Sequence, residues 1–307
     1  MRRFKNILVA ASDPEITRPL LENAARLAEL NDAQITLYDV INPVPSRRRF
    51  LQVGAGQVDV EQMLTDDHTE MLRELAAGVS PRVEVEVRSG TPFVEIIRRV
   101  ESARHDLVMV SADSVGRRPG LAGAPTAMHL LRKCPVPVWA DVGNSAGNSV
   151  AVGVGPFDRG SEIDSLNVTL MQLASSLALM RGGSLDVIHG WRLEGESLLR
   201  GPRMSSKPQE VDAMVEAVRR DASDAVEELL ERVEVQVDVR VHLGKGMAGE
   251  VIPAFVEEHR PGVLVLGTVA RTDIRGMIIG NTAERVLGTV ENSILAVKPQ
   301  GFVSPVS

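Results

Sequence analysis

The chain repeats itself, and that limits the folds open to it more than any other feature. Residues 87–110 read VRSGTPFVEIIRRVESARHDLVMV, and residues 241–266 read VHLGKGMAGEVIPAFVEEHRPGVLVL. Each is a strand end, a glycine (Gly90, Gly244), a helix opening near an acidic residue (Glu95, Glu250), and a second, fully apolar strand. The adjoining segments align without gaps, SADSVGRRPGLAGAPTAMHLL from Ser111 against GTVARTDIRGMIIGNTAERVL from Gly267. Both copies then close on a short strand, at residues 136–140 and 293–297. A repeat of this length is a whole domain and not a solenoid unit. The stretch DVGNSAGNS at residues 141–149, small and polar, reads as a linker. The copies are therefore expected at residues 1–142 and 149–300, which fits a chain of 307 residues at roughly 150 residues per domain.

Inside each copy strands alternate with helices. Residues 6–11 form a nearly continuous apolar run, as a strand covered on both faces should. Residues 18–30 follow with Leu20, Leu21, Ala24, Ala25, Leu27 and Ala28 at helical spacing. Residues 33–40 make a second strand, 58–77 a second helix, and 82–88 a third strand that alternates Val83, Val85 and Val87. The second copy repeats this: strand 149–154, helix 162–180, strand 184–189, helix 209–231, strand 233–242. Alternation of this kind implies right-handed βαβ units and a doubly wound α/β fold. Each copy should be a five-stranded parallel sheet in the order 3-2-1-4-5. Pro135 and Pro137 each remove a ladder donor, so the last strand of the first copy should be a sheet edge. Facing edges would make the two copies an internal pseudo-dimer.

Composition closes several routes. The net charge is −7 and aromatics are 3% of the chain, so neither a basic footprint nor a base-stacking surface points to nucleic acid. The only cysteine, Cys134, excludes an internal disulfide framework and suits a reducing compartment. The run ILVAA near the start is too short for a signal-peptide core and is ended by Asp13-Pro14. No segment approaches the length of a membrane span. A cytoplasmic protein is expected.

One stretch carries chemistry. In the second copy the strand ending at Leu266 runs into Gly267 and Thr268, and after Arg271 the chain reaches Gly280, Asn281 and Thr282 at a helix start. A glycine after the strand lets backbone approach a ligand, and a helix N-terminus offers free N–H groups and the positive end of a dipole to an anion. In an open α/β sheet this loop lies near the topological switch point, where ligands bind. Arg271 is the natural counter-charge. The bland alternative is that these glycines only shape the turn.

This spacing resembles the nucleotide motif of universal stress proteins: Gly, two residues, Gly, nine residues, Gly, then Ser or Thr. The wording GTVARTDIRGMIIGNTAERVL is similar to the tandem, E-type members, and ILVA, VRSGTPFVEII and CPVPV agree in the flanks. The resemblance implies a non-catalytic stress-response protein, holding ATP or another nucleotide in the second domain only. Ala270 replaces the second glycine of the motif and Asn281 the usual Ser or Thr. Members that hold ATP also use an aspartate at the end of the first strand. Gly153 or Gly155 stands there in the second copy, and Ala11 or Ser12, with Asp13 one step on, in the first. The first copy's own loop has Ser111, Ser114, Ala124 and Pro125 at the motif positions, and Pro125 lacks a donor that a phosphate would use.

The remaining candidates read as ordinary surface or core. Six histidines (His68, His105, His129, His189, His242, His259) show no metal-ligand spacing. Cys134 beside Pro135 reads as packing. Arg47, Arg48 and Arg49 read as a solvated basic cluster. Two rival functions stay open. One is a nucleotide-dependent enzyme or slow ATPase at residues 267–282, with Asp273 and Glu284 available as carboxylates. The other is a carrier of an apolar or amphipathic small molecule, lined by Met247, Met277, Ile278, Ile279 and the long connection after Trp191. The expected partner is a small-molecule ligand, on a monomer with an internal pseudo-dimer or on a homodimer.

Overall fold

The computed structural model describes residues 4–53, 56–79, 83–111, 126–142, 147–158, 160–202, 204, 207–268, 280–290 and 292–306. The chain divides into two compact units, one built mainly from residues 1–144 and the other mainly from residues 145–301.

The first unit runs β1 (Asn6–Ala10), α1 (Pro14–Asn31), β2 (Gln34–Ile41), β3 (Phe50–Val53), β4 (Gly56–Asp59), α2 (Val60–Ala77), β5 (Val83–Ser89), α3 (Pro92–Ala103), β6 (Leu107–Ser111), α4 (Thr126–Lys133) and β7 (Val138–Asp141). Five strands pair in parallel in the order β5-β2-β1-β6-β7. β6 is buried at every position, as its apolar run requires. Polar residues set the helix starts. Asp13 accepts from Glu15 N ahead of α1, and Asp59 accepts from Glu61 N and Gln62 N ahead of α2.

The second unit runs β8 (Val150–Gly153), α5 (Glu162–Arg181), β9 (Leu185–Trp191), α6 (Glu196–Leu199), α7 (Pro208–Glu231), β10 (Val239–Lys245), α8 (Ala248–His259), β11 (Val263–Gly267), α9 (Asn281–Thr289) and β12 (Ser293–Val297). Its strands pair in parallel in the order β10-β9-β8-β11-β12. Helix α5 starts at Ser161, whose hydroxyl accepts from Asp164 N, and stops at Gly182 in the left-handed region (φ 62°). Its Leu166, Leu170, Leu173 and Leu177 are buried.

Three local readings change. β3 and β4 form an antiparallel hairpin that the sequence pattern hid, and Arg49 at its entrance pairs with Asp59 at 3.2 Å. The strand expected from residue 233 begins only at Val239. Val233 instead closes the helix before it, donating to Leu230 O, and pairing with β9 starts where Leu185 N reaches Asp238 O. The run Val233, Val235, Val237 imitates a strand by alternation alone. Finally, β7 begins at Val138, so Pro135 and Pro137 precede the paired stretch, and Pro137 serves only as an acceptor, for Val108 N at 3.0 Å.

Candidate functional site

In both units the order of strands reverses beside the first strand, which puts the topological switch point at the carboxyl ends of β1 and β6, and of β8 and β11. In the second unit Gly267 ends β11. A Cβ there would stand 2.7 Å from Leu166 Cδ2 and 3.5 Å from Leu170 Cδ1. The glycine thus admits α5 onto the strand end. Thr268 follows, 2% exposed. Its N–H donates to Val297 O at 3.1 Å, and its hydroxyl accepts from Lys298 Nζ at 2.7 Å. That hydroxyl faces a buried lysine at the end of β12, a partner no motif announces.

Gly280 is buried and precedes α9 in extended conformation (φ −71°, ψ 145°), and as a glycine N-cap it offers no side chain to the helix. Among the described residues no side chain accepts from the N–H groups of the first turn. Thr282 is exposed, and its Cγ2 lies 3.8 Å from where a Cβ on Gly249 of α8 would stand. The helix that carries the motif is braced further by Arg285, which meets Glu250 at 3.2 Å. Arg271 lies outside the described residues, as does the side chain of Asn281. Ala270, Asp273, Met277, Ile278 and Ile279 also fall there, as do Ser114, Ala124 and Pro125 of the first copy. Glu284 and Met247 are exposed.

At the end of β8 the missing aspartate is replaced by a different construction. Gly155 N donates to Asn167 Oδ1 at 3.0 Å, and Asn167 Nδ2 donates to Pro156 O at 3.1 Å. Asn167 is 1% exposed, a buried amide whose polar atoms hold the loop. Next door, His189 on β9 places Nδ1 3.0 Å from Val154 O. A carbonyl only accepts, so Nδ1 carries the proton, and in the neutral ring Nε2 is an acceptor. Burial pushes this imidazole below its ordinary value, against a smaller opposing effect of the Val154 bond. The Phe157 ring stands 4.9 Å from it, tilted by 55°. Beyond Phe157 a groove of about 320 Å³ is lined by Asp164, Asp221, Asp224, Glu228 and Arg232. Arg232 binds Asp164 through two contacts, at 2.7 and 3.0 Å, which ties α7 to the start of α5.

The first unit ends its strands differently. Ser12 N donates to the hydroxyl of the fully buried Thr17 at 2.9 Å, and Asp13 is occupied in capping α1. Asp39, 7% exposed on β2, accepts from Val40 N and sits 2.6 Å from His68 Nδ1. Ser111 is buried at the end of β6.

Comparison with known proteins fits this architecture. The profile described as the universal stress protein family matches residues 3–140 and again residues 164–298. The chain belongs to the universal stress protein family. Among curated relatives, universal stress protein E of Salmonella typhi is 29% identical over 315 residues, covering 100% of this chain and 98% of its own. Universal stress protein E of Escherichia coli strain K12 is 29% identical over 319 residues, with the same coverage. A universal stress protein from Archaeoglobus fulgidus shares the fold with a TM-score of 0.63 at 19% identity, covering 97% of this chain and 98% of that one. A functionally unknown protein from Pseudomonas aeruginosa reaches 0.69 at 21% identity, covering 98% and 95%. This universal stress protein is thus a tandem member with both domains in one chain. None of its described helices is long and apolar enough to cross a membrane.

The gathering of His189, Asn167, Phe157, Lys298 and the Asp39–His68 pair at the strand ends was not legible in the sequence. Each is joined to its partner by topology, from 11 residues apart for Asn167 and Pro156 to 35 for His189 and Val154. No short spacing records such pairs.

Proposed function

We propose that this universal stress protein acts in the stress response by binding a nucleotide, ATP or a relative of it, once per chain and without catalysis. The phosphates would meet Gly280, Asn281 and Thr282, with Gly267 and Thr268 beneath and Arg271 as counter-charge. The observation that carries this reading is the buried glycine start of α9, with no capping side chain among the described residues, at the switch point of the second unit. A phosphate there would supply acceptors to the first-turn N–H groups. The predominantly acidic groove past Phe157 disfavours phosphate, which supports the α9 end.

Isothermal titration with ATP and Mg²⁺ tests it. The expected stoichiometry is near one, with affinity falling as salt rises. Thr282 is exposed, so Thr282→Glu should fold normally while placing a carboxylate against the phosphates. Affinity should drop at least about tenfold, the scale of one charged hydrogen bond. A stoichiometry of two would show that the first unit also binds. Sustained phosphate release from ATP would replace the binding role with a catalytic one.

A further inference from the structure

Something must take the part of the absent strand-end carboxylate if a base is held at all, and this inference rests on the nucleotide reading above. We propose that His189 reads the base. Its Nε2 accepts a hydrogen bond from the exocyclic amino group of a 6-aminopurine, and the ring of Phe157 walls the same position. The ligand class is thereby narrowed from any polyphosphate to adenine nucleotides.

Three observations converge on this imidazole. The Val154 carbonyl fixes the proton on Nδ1, so the neutral ring presents an acceptor at Nε2. Nε2 has no partner among the described residues. Gly155, beside the ring, carries no side chain that would interfere: a Cβ there would lie 2.7 Å from His189 Nδ1 and 2.8 Å from its Cε1.

Distance and charge set the direction of the ligand. β9 is two strands from β11, with β8 between them. At the usual strand spacing that is about 10 Å, a span open to a nucleotide with its base at His189 and its phosphates at α9. The reverse placement would put the phosphates beside Asp221, Asp224 and Glu228. Like charge forbids it.

The test is titration of the full chain with ATP, with inosine triphosphate, and with inorganic triphosphate at neutral pH. Inosine differs from adenosine at the purine C6 and N1: a carbonyl replaces the amino group and N1 carries a proton, so C6 turns an acceptor instead of a donor toward Nε2. ATP should bind about tenfold more tightly than inosine triphosphate. In His189→Asn the amide nitrogen can stand where Nδ1 stood and keep the Val154 bond, while nothing replaces Nε2. That variant should bring ATP and inosine triphosphate within about twofold of each other and leave inorganic triphosphate unchanged. Phe157→Leu should weaken both nucleotides together. Equal binding of ATP and inosine triphosphate to the natural protein would overturn the proposal while leaving the phosphate site standing, provided inorganic triphosphate binds. A preference that survives in His189→Asn would overturn it too. Failure of all three ligands to bind would remove the phosphate reading and this inference with it.

Discussion

The carboxyl ends of the two sheets are built on one backbone plan and finished with opposite chemistry. Ala11 N donates to Tyr38 O in the first unit, and Val154 N to Ile188 O in the second, so Asp39 and His189 occupy equivalent places. In the first unit a buried carboxylate is held by His68 from α2. In the second a half-buried imidazole is held by the Val154 carbonyl and leaves its other nitrogen without a partner among the described residues. By the same register Ala10 matches Gly153, and Val40 matches Gly190. Duplication preserved the hydrogen-bonded frame. Divergence fell on the side chains at its rim, where the first unit closes on its own residues and the second is pared down to glycine.

Grafting the first unit's residues onto the second is the strongest way to break this comparison. Gly190→Val copies Val40. Its Cβ would meet the backbone of Ala248, N at 2.8 Å and Cα at 2.9 Å, with Gly246 O at 3.2 Å. Backbone cannot swing aside, so the second unit should lose about 3 kcal/mol, at the upper end for overpacking. The converse Val40→Gly should cost about 1 kcal/mol, mainly through chain entropy. Each unit carries one of the two tryptophans, Trp139 in β7 and Trp191 in β9. Denaturant unfolding monitored by fluorescence in single-tryptophan variants therefore reports the units separately. A graft tolerated without loss would mean that α8 can retreat from β9.

The loop after the first strand of each unit gives the next contrast. Asn167→Ala removes two bonds, from Gly155 N and to Pro156 O, and should cost about 2 kcal/mol. Thr17→Ala removes only the bond from Ser12 N and should cost about 1 kcal/mol. Equal losses would show that the second loop is no more dependent on its buried amide than the first on its hydroxyl.

The range of each interaction decides how much of this was legible in the sequence. The α/β alternation was plain, because β1, β6 and β11 are apolar runs and α1 shows its helical period within a few residues. The site was legible only as a spacing that ends at Gly280 and Thr282. The spacing carries no sign that Leu166 needs Gly267 bare, that Thr268 turns to Lys298, or that Asn167 holds the loop after β8. Those facts arise when residues distant in sequence are brought to one sheet end. The mistaken start of β10 has a different cause. Alternating valines satisfy a period of two whether or not a partner strand is there to pair with.

Acid should act on both units in the same direction. Burial lowers His105, hydrogen-bonded to Thr36 in the first unit, and His189 in the second; His129 is lowered by burial and by Lys133 and Arg132. The unfolded chain binds protons on these rings near pH 6.5 and the folded chain resists, so stability is fully present above about 6.5. It should fall as pH drops toward the depressed folded values and level off below them. The two tryptophan reporters, monitored from pH 7.5 downward, check this. In His189→Asn the fall reported by Trp191 should be shallower, with the fall at Trp139 unchanged. A slope at Trp191 that the substitution does not alter would assign acid sensitivity there to other groups.

The mildest graft separates steric need from backbone convenience. Gly153→Ala copies Ala10 into β8. The new Cβ would lie 2.8 Å from Ile252 Cδ1, as close as the Gly190 graft comes to Ala248, yet here the obstacle is the far end of a flexible side chain. Ile252 sits on α8 and is 6% exposed, so it can turn only into neighbouring packing. Against that strain stands a gain of about 0.5–1 kcal/mol from reduced chain entropy, because glycine in a strand interior is the more costly residue. The two effects oppose each other, and the net change should stay within about 1 kcal/mol. Shortening the obstacle resolves the sign. In an Ile252→Val background, which removes the terminal methyl, Gly153→Ala should stabilise the second unit relative to Ile252→Val alone. A destabilisation of several kcal/mol in both backgrounds would mean that this end of β8 tolerates no side chain at all. The bare rim of the second unit would then be a requirement of its packing rather than room left for a ligand.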